Sequence, residues 1–381
     1  MLYSYTVSIY EPMDSFLTVL PSMHSLLNLP MLIAALPDDL RIAVDQIFYI
    51  EVSHGQLMPP PTMGAWIIKH FGSLAAVREQ AVLSIVNRLT LEGALFNPLR
   101  ARRPAGTQGS AADLEHWIAD ELSDDMFAQP LRDTPADPFG RISGRYCITA
   151  SNIAKYDSWH GLVVLQEPHP LHFEQEHIRD YLDVALRWIR AASMHDPQAR
   201  YPLITWNCLP KSGATIIHGH WQIAIARGMP YVRVEAWRRA MLQYRIEAGR
   251  DYLADLAAIH LALGLDLGLL GVEAFTHLTP LRNREVVIMA SNSVENIQHL
   301  ADAIYAVLRR LIDRLGVQSF NMAIALPPLG PTTESWQGFP ILVRIGDRGS
   351  ALTNRNDLGA MELYGTGVIS ADPFEVAEGL R

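Results

Sequence analysis

The chain has 381 residues, 49% of them apolar and 19% charged, enough for one large or two to three smaller domains and too apolar for a disordered segment. Its net charge of −9 argues against broad nucleic-acid binding, leaving only a local cationic pocket open. The two cysteines, Cys147 and Cys208, form no C-x-x-C pair, which excludes a disulfide framework and a cysteine-rich zinc site and fits a reducing compartment.

The amino terminus, "MLYSYTVSIYEPMDSFLTVL", is apolar but carries Glu11 and Asp14 and no basic residue, a poor secretion signal. No apolar stretch reaches membrane-spanning length, so no membrane partner and a cytoplasmic location are expected. Residues 1–95 read as a mainly helical extension. "DDLRIAVDQIFYIEV" and "SLAAVREQAVLSIVNRLTLEGALF" place apolar residues at helical spacing on either side of the turn-rich "LMPPPTMG". "NPLRARRPAGTQG" (97–109) is basic and rich in turn-formers, while the acidic "DELSDD" (120–125) and "DPFGR" (137–141) read most simply as surface turns.

From residue 160 a strand–helix–strand pattern occurs twice, predicting a 96–265 unit and a 266–381 unit. Strand "HGLVVLQ" (160–166) precedes an amphipathic helix over 173–195, then strands at 201–207 and 218–226. In the second copy "REVVIMA" (284–290) precedes a helix over 293–316, with Gly316 as its C-cap, and strands at 319–328 and 339–345. Val163-Val164 and Asn207 answer to Val286-Val287 and Asn321, as an internal duplication of an α+β unit would require.

Within "SGATIIHGHWQIAIA" (212–226), strand alternation puts His218, His220 and Gln222 on one face. Three buried polar groups in a row need a ligand, water or each other. Three readings compete. The first is a hydrogen-bonded histidine pair at a strand end. The second is a metal site completed by His160, His169 or His172. The third is nucleophilic histidine chemistry, which the preceding loop favours. That loop, "NCLPKSGAT" (207–215), offers the amide of Asn207, the cation of Lys211, the hydroxyls of Ser212 and Thr215, and Gly213 for close backbone approach. These groups suit a polyanion lying over the strand. His169 and His172 on their own read as residues of a loop or of the start of a helix. Glu362, Tyr364, Arg344 and Arg348 could line a pocket, although a polar turn is the simpler reading of each. No P-loop pattern occurs, which disfavours a kinase or ATPase.

"NCLPKSGATIIHGHWQ" resembles, without a gap, the active-site segment of galactose-1-phosphate uridylyltransferases in the histidine-triad superfamily. Asn207, Gly213-Ala214-Thr215 and His218-Gly219-His220-Trp221-Gln222 stand at its motif positions. "RARRP" resembles the family's Arg-x-x-Arg-Pro and places Arg100 and Arg103 at its phosphate-site arginines. "NIAKYDSWHGLVVLQEPHP", containing Asn152, resembles the segment before its first long helix. "PPLG" (327–330) and "DPFEVAEGLR" resemble its Pro-Pro element and its ending. The likeness runs over roughly residues 97–381 by order of motifs, with 207–222 alone individually specific.

The resemblance implies duplicated histidine-triad-like α/β units with an antiparallel sheet behind the helical extension. It implies transfer of a nucleoside monophosphate from a nucleotide sugar to a phosphorylated acceptor through a covalent nucleotidyl-His220. Gln222 would donate to a phosphate oxygen, and Asn207, Lys211, Ser212, Gly213, Thr215, Arg100, Arg103 and Asn152 would bind substrate. Because an amide does not titrate, Gln222 favours leaving groups already stable as phosphates, hence a transferase or phosphorylase over a hydrolase. The alternatives are a nucleotide-sugar or dinucleoside-polyphosphate phosphorylase, or a non-catalytic nucleotide-binding protein. Departures are visible: Gly219 replaces a proline and loosens the backbone, the family's cysteine zinc pair is missing, and its second H-x-H has become "NMAIAL". No cofactor is therefore expected to be required and no metal ligand is assigned. Zinc stays open without its usual cysteines, His218 is structural or orients His220, and a homodimer stays open.

Overall fold

A computed structural model describes residues 24–103, 109–353 and 359–381. Pro104 of "RARRP" lies outside the described residues.

The amino-terminal region begins with α1 (Leu29–Ala34) and α2 (Asp38–Ile47), followed by β1 (Phe48–Gln56), α3 (Gly64–Phe71), α4 (Leu74–Arg78), β2 (Glu79–Asn87) and β3 (Gly93–Phe96). Both stretches read as helical thus start as helices and finish as strands. The reason is local: Phe48, Ile50 and Val52 alternate inward along β1, and Leu83, Ile85 and Asn87 do so along β2. Aromatic and β-branched residues favour that extended form. β1, β2 and β3 form an antiparallel meander, and β12 (Thr366–Ile369) adds in parallel to β3.

After α5 (Ala111–Glu121) and α6 (Pro130–Asp133) come β4 (Cys147–Ser151), β5 (Trp159–Leu165), α7 (Gln175–His195), β6 (Tyr201–Cys208) and β7 (His220–Ala226). Helices α8 (Val232–Ala248) and α9 (Tyr252–Ala262) lead to β8 (Glu273–Thr276), β9 (Val286–Ala290), α10 (Val294–Asp313), β10 (Phe320–Ala325) and β11 (Ile341–Asp347), and the chain closes with α11 (Pro373–Leu380). The eight-stranded sheet has the order β4-β5-β7-β6-β10-β11-β9-β8, with every neighbour antiparallel. Each half has the same wiring, with two strands, a helix and two strands. The halves meet where β6 pairs with β10, and there the duplicated asparagines are direct partners, Asn207 opposite Asn321.

The two sheet faces differ in chemistry. On one, Trp206, Trp221, Ile204 and Ile223 are fully buried, with Tyr181 of α7 edge-on to Trp221 at 5.8 Å. α7 contributes Ile178, Tyr181, Leu182, Ala185, Trp188, Ile189 and Ala192 at helical spacing, and α10 lies beside it on the second half. Gly161 is required here, because a Cβ would stand 2.5 Å from the Trp188 ring. The alternate residues of β6 and β7, including Thr205, Asn207, His220 and Gln222, face the other way.

"DPFGR" is not a surface turn at its first residue. Asp137 is buried and accepts from Trp188 Nε1 at 2.7 Å and from Ser151 Oγ at 2.6 Å. Arg344 on β11 is held by Glu92 of the amino-terminal region and by Glu285, and Glu92 also accepts from Arg233 of α8. Glu362 pairs with Arg282. Arg344 and Glu362 therefore bind parts of the fold together, and both also line a cavity of about 270 Å³ beside Arg233, Arg282 and Asn321, which Tyr364 and Arg348 do not line.

Candidate active site

The strand face away from α7 forms the floor of a cavity of about 490 Å³, lined by His220, Gln222, Asn207, Asn152, His160, Gly213 and Thr215 among others. Its apolar walls include Phe127, Ile153, Leu162 and Ile216. This size lies within the range of small-molecule sites.

His220, the first residue of β7, is buried. Its Nδ1 donates to the His218 carbonyl at 2.8 Å, an assignment forced by the carbonyl being an acceptor only. The lone pair therefore sits on Nε2. Burial, with the His218 ring close by as a second cause, holds the His220 pKa below the usual histidine value against the opposing pull of that hydrogen bond. The Phe127 edge packs on the ring at 5.3 Å and fixes its plane. A neutral imidazole with its proton pinned and its lone pair free is a nucleophile that needs no further base.

Two carboxamides flank it, each with its oxygen tied. Asn207 Oδ1 accepts from Asn321 Nδ2 at 2.7 Å, which leaves the Asn207 NH2 group for the cavity. Gln222 Oε1 lies 3.0 Å from His160 Nε2. The Tyr156 N–H donates to His160 Nδ1 at 3.3 Å, so the His160 proton resides on Nε2 and is given to Gln222. The Gln222 NH2 group is thereby turned away from His160. Asn152 Oδ1 accepts from Ala154 N, and its Nδ2, 3.1 Å from the same His160 nitrogen, makes no hydrogen bond with it in this tautomer. Burial, with nearby Lys155 as a smaller cause, lowers the His160 pKa and favours the neutral ring this pattern needs.

The loop before β7 is set by its own bonds. Leu209, at φ 71 and ψ 162, starts a short turn over Pro210–Ser212 that Gly213 ends at φ 98. The Ser212 hydroxyl donates to Leu209 O at 2.7 Å, and the Ser212 carbonyl accepts from Asn321 Nδ2 at 2.9 Å. Ser212 thus shapes the loop and does not line the cavity. Lys211, Arg100 and Arg103 are also absent from the lining. Arg100 sits on a turn over Pro98–Arg102, partly desolvated beside Arg103, and the neighbouring Arg102 donates to Phe71 O. Among the described residues the lining holds no lysine or arginine and one carboxylate, Asp133, so its donors toward a phosphate are amides, hydroxyls such as those of Thr215 and Tyr156, and backbone N–H groups.

His218 departs from the alternation expected of it. It precedes the strand and lines a separate cavity behind Phe127. Its Nδ1 lies 2.6 Å from Asp125 Oδ2 and its Nε2 2.7 Å from Leu165 O. Both ring nitrogens are engaged, and the one cysteine on either lining, Cys147, donates its thiol to Asp180. The zinc centre implied by the resemblance does not fit these residues, and no step is derived through it. Asp125, the last residue of "DELSDD", is the partner that holds His218, and its role was not legible as a surface turn. Gly219 is not a loosened hinge either: a Cβ would lie 2.8 Å from Leu165 Cδ1, and its N–H donates to Pro168 O at 2.8 Å.

His160 was legible only as one of three candidate third ligands. The signal that could place it beside Gln222 is strand pairing, since Leu162 opposes Gln222 and His160 opposes Ala224 on the adjacent strand.

Comparison with solved structures gives the same architecture. An ADP-glucose phosphorylase from Arabidopsis thaliana, with bound ADP-glucose, matches at a TM-score of 0.58 and 15% identity, over 77% of this chain and 96% of that one. The chain has the uridylyltransferase-like fold. A GalT-like protein from Arabidopsis thaliana matches at TM-score 0.56 and 16% identity, covering 67% of this chain and 90% of that one. A uridylyltransferase matches at 0.53 and 18%, covering 65% and 87%. No family model and no curated protein matches the sequence. In this uridylyltransferase-like fold the H-x-H strand lies inside the sheet, between β5 and β6. No helix of the described residues is long and apolar enough to cross a membrane.

Proposed function

We propose that this chain is a nucleotidyltransferase that moves a nucleoside monophosphate from a nucleotide sugar to a phosphorylated acceptor through a covalent nucleotidyl-His220. The observation that carries the reading is the His220 imidazole, its Nδ1 proton held by the His218 carbonyl, beside two carboxamides whose oxygens are tied elsewhere. His220 Nε2 attacks the α-phosphorus, the bond from phosphorus to the bridging oxygen breaks, and a sugar phosphate leaves as an anion. The imidazole becomes a cation that keeps its Nδ1–H on the His218 carbonyl. In the second half an oxygen of the acceptor phosphate attacks phosphorus and the P–N bond breaks, restoring neutral His220. Neither half needs a proton on the leaving group, which matches a site with the non-titrating Gln222 beside the nucleophile.

Gln222 and Asn207 supply N–H donors where negative charge builds on the non-bridging oxygens. Thr215, Gly213 and Asn152 complete the binding surface, with the apolar wall around Phe127 and Ile216 suited to a nucleobase. Lys211, Arg100 and Arg103 belong to this proposal only as charges outside the lining, and no cofactor is assigned to the step. A phosphorylase, with inorganic phosphate as acceptor, is the second reading, favoured by the likeness to the ADP-glucose phosphorylase.

The test is isotope exchange between candidate nucleotide sugars and labelled sugar phosphates, with and without free phosphate, alongside intact-mass measurement after incubation with a nucleotide panel. The expected results are a mass gain of one nucleoside monophosphate and exchange that vanishes in His220→Ala. Exchange dependent on free phosphate assigns the phosphorylase. Full exchange in His220→Ala, or binding with no covalent adduct, overturns the mechanism.

A further inference from the structure

Outside the cavity, three potential ligands converge on a surface the reaction does not use. Glu115 of α5 and His169 and His172 of the loop between β5 and α7 place one donor atom each within 4.8 Å of one another. Glu115 Oε2 is 3.2 Å from His169 Nε2 and 3.7 Å from His172 Nε2. Donor atoms held on a tetrahedral zinc at about 2.0–2.1 Å lie roughly 3.3–3.4 Å apart, so these separations are close to the edges of such a tetrahedron. An independent observation points the same way. The His169 side chain is only 10% exposed, and its Nε2 is buried without a hydrogen bond while aimed into the cluster. A buried donor left in that state is costly unless something else fills the position.

We propose that Glu115, His169 and His172 form a binding site for a zinc-class divalent ion, with water in the fourth position. The donor set of two imidazoles and one carboxylate is of the kind that binds Zn²⁺, and accepts Co²⁺. The two rings are stacked, 3.7 Å between centroids and 15° between planes. Closing on an ion therefore requires the exposed His172 to turn while the buried His169 stays. Binding also moves the His169 proton from Nε2 to Nδ1, at the cost of the long 3.3 Å contact from Leu171 N–H. The site shares no residue with the His218–Asp125 pair. It ties α5 to the loop whose Pro168 carbonyl receives Gly219 N–H, one residue from His220. Its role is to brace the loop behind the histidine strand.

The experiment uses the full chain without an affinity tag, stripped with chelator and titrated with Co²⁺, followed by visible ligand-field absorption and by calorimetry. The expected result is one equivalent bound with the intense bands of a low-coordinate site. His172→Ala and Glu115→Gln, both at exposed positions, should weaken binding at least tenfold, and His116→Ala, next to Glu115 but outside the cluster, should not. Wild-type protein that takes up no stoichiometric Co²⁺, or variants that bind as the parent does, overturn the proposal. Neither readout depends on nucleotidyl transfer, so failure of one reading leaves the other standing.

Discussion

The reactivity proposed for His220 rests on where its one proton is held. The His218 carbonyl accepts that proton at 2.8 Å and burial opposes a second one, so the ring presents a lone pair through neutral pH. Protonation of Nε2 would remove the nucleophile. Because the pKa is shifted down, kcat/KM should be flat at pH 7 and fall only on an acid limb with a midpoint below 6.5. A limb centred at or above that value would contradict the burial argument. In the proposed reaction His160 would act one step further away, as a positioning residue that fixes which end of the Gln222 amide faces the phosphate. His160→Ala frees that amide to rotate, and part of one oriented donor is lost. Removal of such a donor outright costs about 100–1,000-fold in kcat, so a smaller loss, of roughly 10–100-fold, with KM little changed, is expected in initial-rate assays. An equal loss carried entirely by KM would assign His160 to binding instead. The His220 motif was legible because it is contiguous. His160 and Asp125 were not, because their meaning depends on partners 62 and 93 residues away.

Elements were legible wherever one period dominated. The long helices and the strands around them fell close to their expected positions because α7 and the central strands each have a single apolar face. The amino-terminal strands were read as helix because a run such as "QAVLSIVN" satisfies both spacings, and pairing with β1 decided the outcome. The turn into β7 is likewise set by tertiary packing. Gly219 sits where a Cβ would stand 2.8 Å from the end of the Leu165 side chain, which would have to shift. Gly219→Ala should destabilise by about 1–3 kcal/mol, the usual cost of overpacking, read as a lower denaturation midpoint. Gly219→Pro should cost more, since it also removes the N–H bonded to Pro168 O. Unchanged stability in both would mean that the loop gives way freely. A second element-scale dependence lies at α11. Its N-cap, buried Asp372, accepts from Leu26 N and Phe374 N, yet burial pushes its carboxyl up to about 6. A folded-state pKa above the unfolded value means that the native state binds the proton more tightly. This group's contribution is thus full below the ordinary 3.8 and is lost as pH rises through about 6. Asp372→Asn should flatten the pH dependence of urea midpoints across that window, and an unaltered slope would contradict the burial argument.

At the scale of the whole molecule, the duplication does more than build a long sheet. The second unit lacks a histidine strand, but its Asn321 reaches across the β6–β10 seam to Asn207 and to the Ser212 carbonyl, while Arg348 donates to Asn321 Oδ1. The repeat thereby orients an amide and a loop in the unit that carries His220. The duplicated asparagines were visible in sequence; their direct pairing was not, since it depends on how the two halves dock. The amino-terminal region is fastened to the same second unit through the buried Glu92–Arg344 pair. Glu92→Ala leaves Arg344 its second carboxylate, Glu285, so it should lower stability by about 1.5–3 kcal/mol, the usual worth of a hydrogen bond to a charged group, in urea unfolding. Asn321→Ala is expected to behave differently. It removes no charge, but it frees the Asn207 amide to turn and loosens the Ser212 carbonyl. Turnover should fall by roughly tenfold or more, within the range of a disturbed transition-state donor, with a far smaller loss of stability than Glu92→Ala. An Asn207→Ala/Asn321→Ala double variant should then be no slower than Asn207→Ala alone, because Asn321 acts through Asn207. Additive losses in that cycle would mean that Asn321 acts on the loop or the substrate directly, and that the seam does not orient the amide.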